Sequence, residues 1–381
     1  METLIQSNRE IKVSVIMPIY NAGEYLSRAI GDVLRQSFAE IELICVDDGS
    51  TDNSAKIIER YKNKDDRVSY IHQSNQGPSI ARNQGLKMAR GRYVIFLDAD
   101  DMYEPTLIQL LYEAAEAQTL DVAVAKFDIY DESQNKYISP VLEPDSQIFD
   151  GGAVTSKNEH PHKIFTSTTG YAWNKLFRTS FLIEKGLSFD PDLYVFEDVH
   201  FVCSTMALAE RVQRIDGVLI HHRVYFEQSR STLFRKYYGQ VPVVYSKLRQ
   251  FLMSQGMYIP LKKGYLNLSA GRCYKIFNLL WADGKERMWN LLHDQYVAEL
   301  DWLNNDRADI ENAEVRDFVA NVALYQYAEF LDREERGRTI DVENLETDDL
   351  SKKVNQKQKI SRRRAVWNKI MSFINIFRKK K

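Results

Sequence analysis

The sequence predicts an α/β fold: a mostly parallel β-sheet flanked by helices, followed by an α-helical C-terminal region. Two observations predict it. Along the first 125 residues, short apolar runs alternate with amphipathic stretches of helical period, which is typical of βαβ units. From residue 236 to about 336 the pattern is helical and rich in Leu, Tyr and Trp.

The predicted strands are runs rich in Val, Ile, Leu and aromatic residues, as expected for strands covered on both faces. We expect them at residues 13–17, 41–46, 68–71, 93–97 and 122–125. We expect the intervening helices at residues 24–36, 53–61, 79–89 and 106–117. Residues 126–163 are polar and turn-rich, so we interpret them as an irregular insertion that could shape a binding site. Regular patterns resume near residue 173 and continue to about 232.

Charge is distributed unevenly along the 381 residues. Residues 351–381 contain twelve Lys or Arg and no acidic residue, whereas the remaining 39 Lys and Arg oppose 53 Asp and Glu, a formal charge of −14. The apolar residues of this tail recur at helical spacing: Trp367, Ile370, Met371, Ile374 and Phe377. The pattern predicts a basic amphipathic helix on an anionic membrane surface, with a disordered basic tail as the alternative. No nucleic-acid recognition motif accompanies the charge.

Cysteine usage and the chain's hydropathy indicate a compartment. Three cysteines without a C-x-x-C pair argue against a disulfide framework or a structural zinc site. The N-terminal residues lack the apolar stretch of a signal peptide, and no run approaches the ~18 apolar residues of a membrane-spanning helix. We therefore expect a cytoplasmic protein, peripheral at the inner face of the cell membrane.

Polar residues follow each of the first four predicted strands, at the sheet edge where ligands bind in such folds. Besides Pro18, they are Tyr20 after the first strand, Asp47 and Asp48 after the second, Asn75 and Arg82 beyond the third, and Asp98 and Asp100 after the fourth.

Asp98 and Asp100 form a D-x-D motif. Residues two apart in an extended chain point to the same side, so the two carboxylates make an oxygen-rich site for Mn²⁺ or Mg²⁺. Such a cation can bridge to a diphosphate and stabilise its charge. The alternative is a solvated acidic turn, in which Asp101 and Glu104 cap the following helix.

The other strand ends favour a nucleotide. Asp48 could accept hydrogen bonds from a base, and Tyr20 could stack on the base ring. Turn chemistry at Gly49 and a helix cap at Asp52 also account for this segment. Arg82 could pair with a phosphate or hold Asp48 in place, or it could be a surface helix arginine.

The segments VSVIMPIYNAGEYLSRAI, ICVDDGSTDNS, NQGPSIARNQG and GRYVIFLDADD resemble, in order and spacing, the family 2 inverting glycosyltransferases with the Rossmann-like GT-A fold. The resemblance is strong over residues 11–125 and weaker to about 232. It implies a nucleotide site formed by Pro18, Tyr20, Asp48, Asn75, Arg82 and Asp98, with Asp100 as metal ligand.

The resemblance also implies a catalytic base in a downstream acidic pair. Here the pair is Glu197-Asp198, with Asp198 as the base and Glu197 orienting the acceptor. Its alternative is an N-cap and first-turn charge of a helix. His221 is a candidate third metal ligand or a partly buried strand histidine. Arg230 would face phosphate from a mobile loop, or would belong to a linker.

We therefore interpret the chain as an inverting glycosyltransferase that moves a sugar from a nucleotide-sugar to a saccharide or lipid-linked acceptor in surface polysaccharide synthesis. UDP as the nucleotide is a family-level expectation. A nucleotidyltransferase and a catalytically inactive membrane-associated scaffold are the alternatives. A dehydrogenase is disfavoured because no G-x-G-x-x-G follows the first strand.

Three regions are expected. Residues 1–232 would form the catalytic domain, with a nucleotide-binding half at 11–125 and an acceptor half at 126–232. Residues 233–350 would form the helical region, and residues 351–381 the basic tail. The expected partners are the donor, the acceptor and an anionic membrane surface, without nucleic acid, and the sequence leaves a homo-oligomer open.

Overall fold

The computed structural model describes residues 10–139, 146–224, 234–303 and 307–336. The chain divides into two compact units, Met1–Leu233 with Phe251–Leu261 and Phe234–Gln250 with Lys262–Lys381. The strands of the first unit are β1 (Val13–Ile19), β2 (Ile41–Asp47), β3 (Val68–His72), β4 (Tyr93–Phe96), β5 (Met102–Tyr103), β6 (Val122–Asp131), β7 (Lys136–Ile138), β8 (Lys175–Arg178) and β9 (Val212–Val224). They form one sheet in the order β3-β2-β1-β4-β8-β6-β9-β5, with β7 paired to β6.

The first four strands of this order run parallel, and β1 lies between β2 and β4. All seven residues of β2 are buried, in keeping with its mostly apolar sequence. The helices of this part are α1 (Leu26–Leu34), α2 (Ser54–Lys62), α3 (Pro78–Met88) and α4 (Leu107–Gln118). The predicted fold class is confirmed, and the carboxyl ends of these strands meet at one edge.

The second half of the sheet is mixed. β8 is antiparallel to both β4 and β6, while β6 and β9 pair in parallel with an irregular register around Lys126. The prediction of an irregular insertion from residue 126 is wrong for its first part, because β6 continues to Asp131 and pairs with β7. Helices α5 (Thr179–Glu184) and α6 (Glu197–Leu208) follow β8.

The C-terminal part is helical, as predicted. Its helices are α7 (Phe234–Tyr237), α8 (Gln240–Ser254), α9 (Tyr258–Leu279), α10 (Ala282–Leu291), α11 (Val297–Glu299), α12 (Ala313–Leu324) and α13 (Tyr327–Glu335). The core of the second unit contains the fully buried Trp289, whose ring contacts Phe277, Phe318 and Phe330. Among the described residues, no helix combines the length and apolar character that crossing a bilayer requires. Arg230 and the basic tail lie outside the described residues.

Candidate active site

Two adjacent carboxylates at the end of β2 organise the loops around them. Asp47 is fully buried and accepts hydrogen bonds from the Ser50 amide (2.9 Å) and the Tyr70 hydroxyl (3.1 Å). Asp48 accepts hydrogen bonds from the backbone amides of Gln76 and Gly77, each at 2.8 Å. Asp48 therefore holds the loop before α3. It also accepts a hydrogen bond from Gln73 Nε2 at 2.8 Å, so its carboxylate, which offers about four acceptor positions, keeps one for a ligand.

The remaining nucleotide candidates lie near this edge with different exposure. Tyr20 follows β1 and is 53% exposed, whereas Pro18 is half-buried within that strand. Asn75 is exposed, in the loop that Asp48 holds. An exposed ring beside a partly satisfied carboxylate is a combination that can bind a planar, hydrogen-bonding base.

Three carboxylates cluster at the end of β4. Oxygens of Asp98, Asp100 and Asp101 lie within 4.8 Å of one another. Burial, together with the charges of Asp101 and Asp98, raises the pKa of Asp100 to about 7. The cluster thus concentrates negative charge that the neighbouring side chains balance only in part. An oxygen-only donor set of this kind fits a hard divalent cation, so these three aspartates are suited to form a metal site.

The strand β9 closes this cluster on one side. His222 places Nδ1 3.0 Å from Asp101 Oδ1, and the backbone amide of Arg223 donates to the same oxygen at 2.9 Å. Arg223 Nε also donates to the carbonyl of Asp100 at 2.9 Å. Burial opposes protonation of His222, but the carboxylates of Asp101 and Asp100 raise its pKa to about 9.

The structure does not bring His221 to the carboxylate cluster. Its Nδ1 lies 2.6 Å from Asp128, and its Nε2 lies 2.9 Å from Glu104. Glu104, which the sequence suggested as a helix cap, contacts this ring instead. Because consecutive strand residues point to opposite faces, the placement of His222 at the cluster requires His221 to point away from it.

Arg82 is the residue that joins the two halves of the site. It is 5% exposed, and Nη2 donates to Asp98 Oδ1 at 3.1 Å while Nη1 donates to Glu197 Oε1 at 3.0 Å. Asp198 Oδ1 lies 3.0 Å from the same Nη1, outside hydrogen-bond geometry. Burial alone would lower the pKa of Arg82, but the carboxylates around it raise that pKa. Its contacts therefore exclude the reading as a surface helix arginine.

The acidic pair opens helix α6. Phe196, its N-cap residue, has φ +61° and ψ +19°, a left-handed conformation that is strained for a bulky side chain by about 1–3 kcal/mol. Strain of this kind is concentrated at functional sites. The Ala172 amide lies 3.3 Å from Asp198 Oδ2, and burial raises the pKa of Asp198 to about 6 against the lowering effect of Arg82. A carboxylate titrating there is suited to accept a proton.

Lys175 fixes the backbone that faces Asp198. Its side chain is fully buried, and Nζ donates to the carbonyls of Thr169 (2.9 Å) and Tyr171 (2.7 Å) and to Asn174 Oδ1 (2.7 Å). Burial lowers the pKa of Lys175 to about 7. The fully satisfied ammonium group holds the loop whose next amide, that of Ala172, contacts Asp198.

The structure brings Arg82, Asp98, Asp100, Glu197 and Asp198 into one contiguous site. The sequence did not assign site roles to Asp101, His222, Arg223 and Lys175. For Lys175, the signal was a lysine within the largely apolar residues 171–177, where a buried lysine must find partners. For His222 and Arg223, no sequence signal identifies which side chains of β9 lie on the face that carries the carboxylate cluster.

Comparison with known proteins identifies the family. The model of "Glycosyl transferase family 2" matches residues 14–213, more than half of the chain. The chain belongs to this family. The matched span includes every site residue from Pro18 to Asp198, whereas His221 and His222 lie beyond it.

This chain is similar to several bacterial proteins. It is 36% identical over 211 residues to the uncharacterized glycosyltransferase EpsJ of Bacillus subtilis, covering 55% of this chain and 60% of that protein. It is 32% identical over 215 residues to the cholesterol galactosyltransferase of Borreliella burgdorferi, covering 54% and 58%. The alignments thus span less than two thirds of these relatives' lengths.

Solved structures share the architecture. TarS 1-349 of S. aureus in complex with UDP-GlcNAc has a TM-score of 0.69 at 20% identity, covering 88% of this chain and 95% of that one. The complex of TarS 1-349 with UDP has a TM-score of 0.66 at 21% identity, covering 86% and 92%. These similarities support a GT-A fold for this chain.

Proposed function

We propose that this family 2 member is an inverting glycosyltransferase that moves a sugar from a UDP-sugar to a saccharide acceptor. The contacts of Arg82 carry the proposal. One buried guanidinium touches Asp98 in the carboxylate cluster and both Glu197 and Asp198 at the start of α6. The carboxylate cluster, which suits a charged ligand, therefore lies next to Asp198, a carboxylate of raised pKa. A single displacement that is assisted by a base requires these two features side by side.

The donor end of the proposed site lies beyond β1 and β2. Tyr20 would stack on the base, and Asp48, with Asn75 in the loop it holds, would bind its polar edge. UDP as the nucleotide is supported by TarS, whose structures contain UDP and UDP-GlcNAc.

Asp98, Asp100 and Asp101 would hold a divalent cation, Mn²⁺ or Mg²⁺, with His222 beside them in place of the predicted His221. When bound, such a cation supplies positive charge that stabilises the departing diphosphate. Arg82 keeps Asp98 oriented, and the contacts of Arg223 with Asp100 and Asp101 fix the backbone of the cluster.

Asp198 would act as the general base. The acceptor hydroxyl oxygen forms a bond to the anomeric carbon as the bond from that carbon to the diphosphate oxygen breaks. The hydroxyl proton passes to a carboxylate oxygen of Asp198, and the nucleoside diphosphate leaves with the bonding electrons. Glu197 would orient the acceptor side through its shared contact with Arg82.

The acceptor is proposed to be a saccharide or a lipid-linked saccharide at the inner face of the cell membrane. The name of one relative, a cholesterol galactosyltransferase, gives a membrane lipid as acceptor. The basic tail at residues 351–381 would bind anionic lipid beside such an acceptor.

Calorimetric titration of the full chain with UDP and with GDP, each with Mn²⁺ and with EDTA, tests the donor assignment. We expect UDP to bind with Mn²⁺ and to lose most of its affinity in EDTA. Binding of GDP alone would change the donor class. A folded protein that binds neither nucleotide would contradict the proposal and favour an inactive scaffold.

A further inference from the structure

Four rings form an aromatic cluster that links the two halves of the site. Tyr171 stacks on Trp173 with ring centroids 4.9 Å apart and an interplanar angle of 16°, and Trp173 stacks on His222 at 4.9 Å and 21°. Phe127 packs edge-on against Trp173 at 4.7 Å. His222 in turn contacts Asp101, so the cluster is anchored to the carboxylate cluster.

Exposure differs sharply within this cluster. Trp173 is 2% exposed, whereas Tyr171 is 41% exposed. The stack on Trp173 orients the Tyr171 ring, and Lys175 Nζ fixes its backbone through a 2.7 Å hydrogen bond to the Tyr171 carbonyl. An accessible aromatic side chain is thus held in place before any ligand binds, which reduces the entropy lost on binding.

The position of this ring decides what it can bind. The residue after Tyr171 is Ala172, whose amide contacts the carboxylate of Asp198. The backbone of Tyr171 is therefore next to the segment that contacts the proposed base, and its ring lies 5.9 Å from that of His222. Tyr20, the proposed base-stacking ring, instead follows β1 at the nucleotide end. A group bound on Tyr171 would belong to the acceptor.

We propose that Tyr171 is an acceptor subsite that packs against one face of a sugar ring. The face of an aromatic ring carries partial negative charge, and the C–H groups on the flat face of a pyranose carry partial positive charge. The contact would orient the acceptor so that one hydroxyl meets Asp198. This inference rests on the proposed glycosyltransferase function and adds the part of the acceptor that is recognised.

Tyr137 provides a matched control. It is 51% exposed and contacts His221, with ring centroids 5.0 Å apart, whereas Tyr171 belongs to the cluster around His222. Because His221 and His222 are consecutive on β9, their side chains point to opposite faces of the sheet. Tyr137 is thus an exposed tyrosine of the same sheet on the other face.

Saturation-transfer NMR on the full chain loaded with UDP and Mn²⁺ tests the subsite. The probes are the methyl β-glycosides of glucose, galactose and N-acetylglucosamine, with glycerol phosphate as a non-cyclic comparison. We expect at least one glycoside to receive saturation at its ring C–H protons. Tyr171→Ala should weaken its binding by about tenfold, as loss of an aromatic contact implies, while Tyr171→Phe and Tyr137→Ala retain it.

Binding of UDP distinguishes a failure of the Tyr171 subsite from a failure of the proposed function. Loss of glycoside binding in Tyr171→Ala with UDP binding kept supports the subsite. Equal glycoside binding by Tyr171→Ala, preference for glycerol phosphate, or no glycoside binding by the UDP-loaded unaltered protein would overturn it. Failure of the unaltered protein to bind UDP would instead overturn the proposed function.

Discussion

At the residue scale, the proposed base has a pKa that makes its role testable by pH. Asp198 must be unprotonated to accept a proton, and burial raises its pKa to about 6. We expect kcat/KM for transfer to fall as pH drops below about 6, because the protonated fraction of Asp198 grows. Steady-state rates between pH 5 and 8 measure this, and a flat profile across that range would contradict it.

The same raised pKa of Asp198 also makes the free energy of unfolding depend on pH, in the direction opposite to that of activity. The folded-state pKa of Asp198 lies above its ordinary value of 3.8, so the folded chain binds more protons than the unfolded chain between about pH 4 and 6. The contribution of Asp198 therefore lowers the free energy of unfolding as pH rises through this window. The difference in urea unfolding between the unaltered chain and Asp198→Asn isolates this contribution, because asparagine does not titrate.

The two adjacent histidines of β9 give a second residue-scale prediction. We expect His222→Ala to weaken Mn²⁺ binding by about 10–100-fold, because His222 contacts the carboxylate of Asp101. His221→Ala should have a much smaller effect, since its ring contacts Glu104 and Asp128. Mn²⁺ titration followed by electron paramagnetic resonance measures both. A larger loss of Mn²⁺ binding in His221→Ala than in His222→Ala would instead favour His221 as the metal ligand.

At the element scale, the first four strands could be predicted closely because each is a largely apolar run between turn residues. The extent and pairing of the strands in the second half could not, because β8, β6 and β9 pair across long sequence separations and their register depends on tertiary contacts. A shift of one residue in β9 exchanges the faces of its side chains, so the sequence alone could not decide whether His221 or His222 lies at the carboxylate cluster. The two-residue strand β5 is too short to leave a periodic signal.

The turn after β2 provides the prediction for this scale. Gly49 has φ +76°, and a Cβ there would lie 2.8 Å from the Asn75 amide nitrogen. We expect Gly49→Ala to destabilise the fold and to weaken UDP binding by displacing the loop that carries Asn75. Gly186→Ala is the control, since Gly186 has φ +63° with no atom within 4 Å, so it bears only backbone strain of about 1–2 kcal/mol. Equal unfolding free energies and equal UDP affinities for the two variants would contradict the account.

At the scale of the whole molecule, charge separates the basic tail from the acidic remainder of the chain. Truncation after Asp349 removes all twelve tail cations. Each cation near an anionic surface contributes about 1 kcal/mol of attraction, so we expect the truncated chain to lose binding to anionic vesicles. Co-sedimentation with anionic and neutral vesicles measures this, with UDP titration as the control for folding. Vesicle binding that survives truncation would place the membrane contact elsewhere.

The most direct test of the central claim is transfer by Asp198→Asn, compared with Glu184→Gln as an exposed acidic control in the same unit. UDP release from UDP-sugars would be followed with a saccharide acceptor that the unaltered chain uses. We expect Asp198→Asn to lower transfer by about 10²–10⁴-fold with UDP affinity nearly unchanged, because only the proton acceptor is removed. Transfer retained by Asp198→Asn would contradict the account.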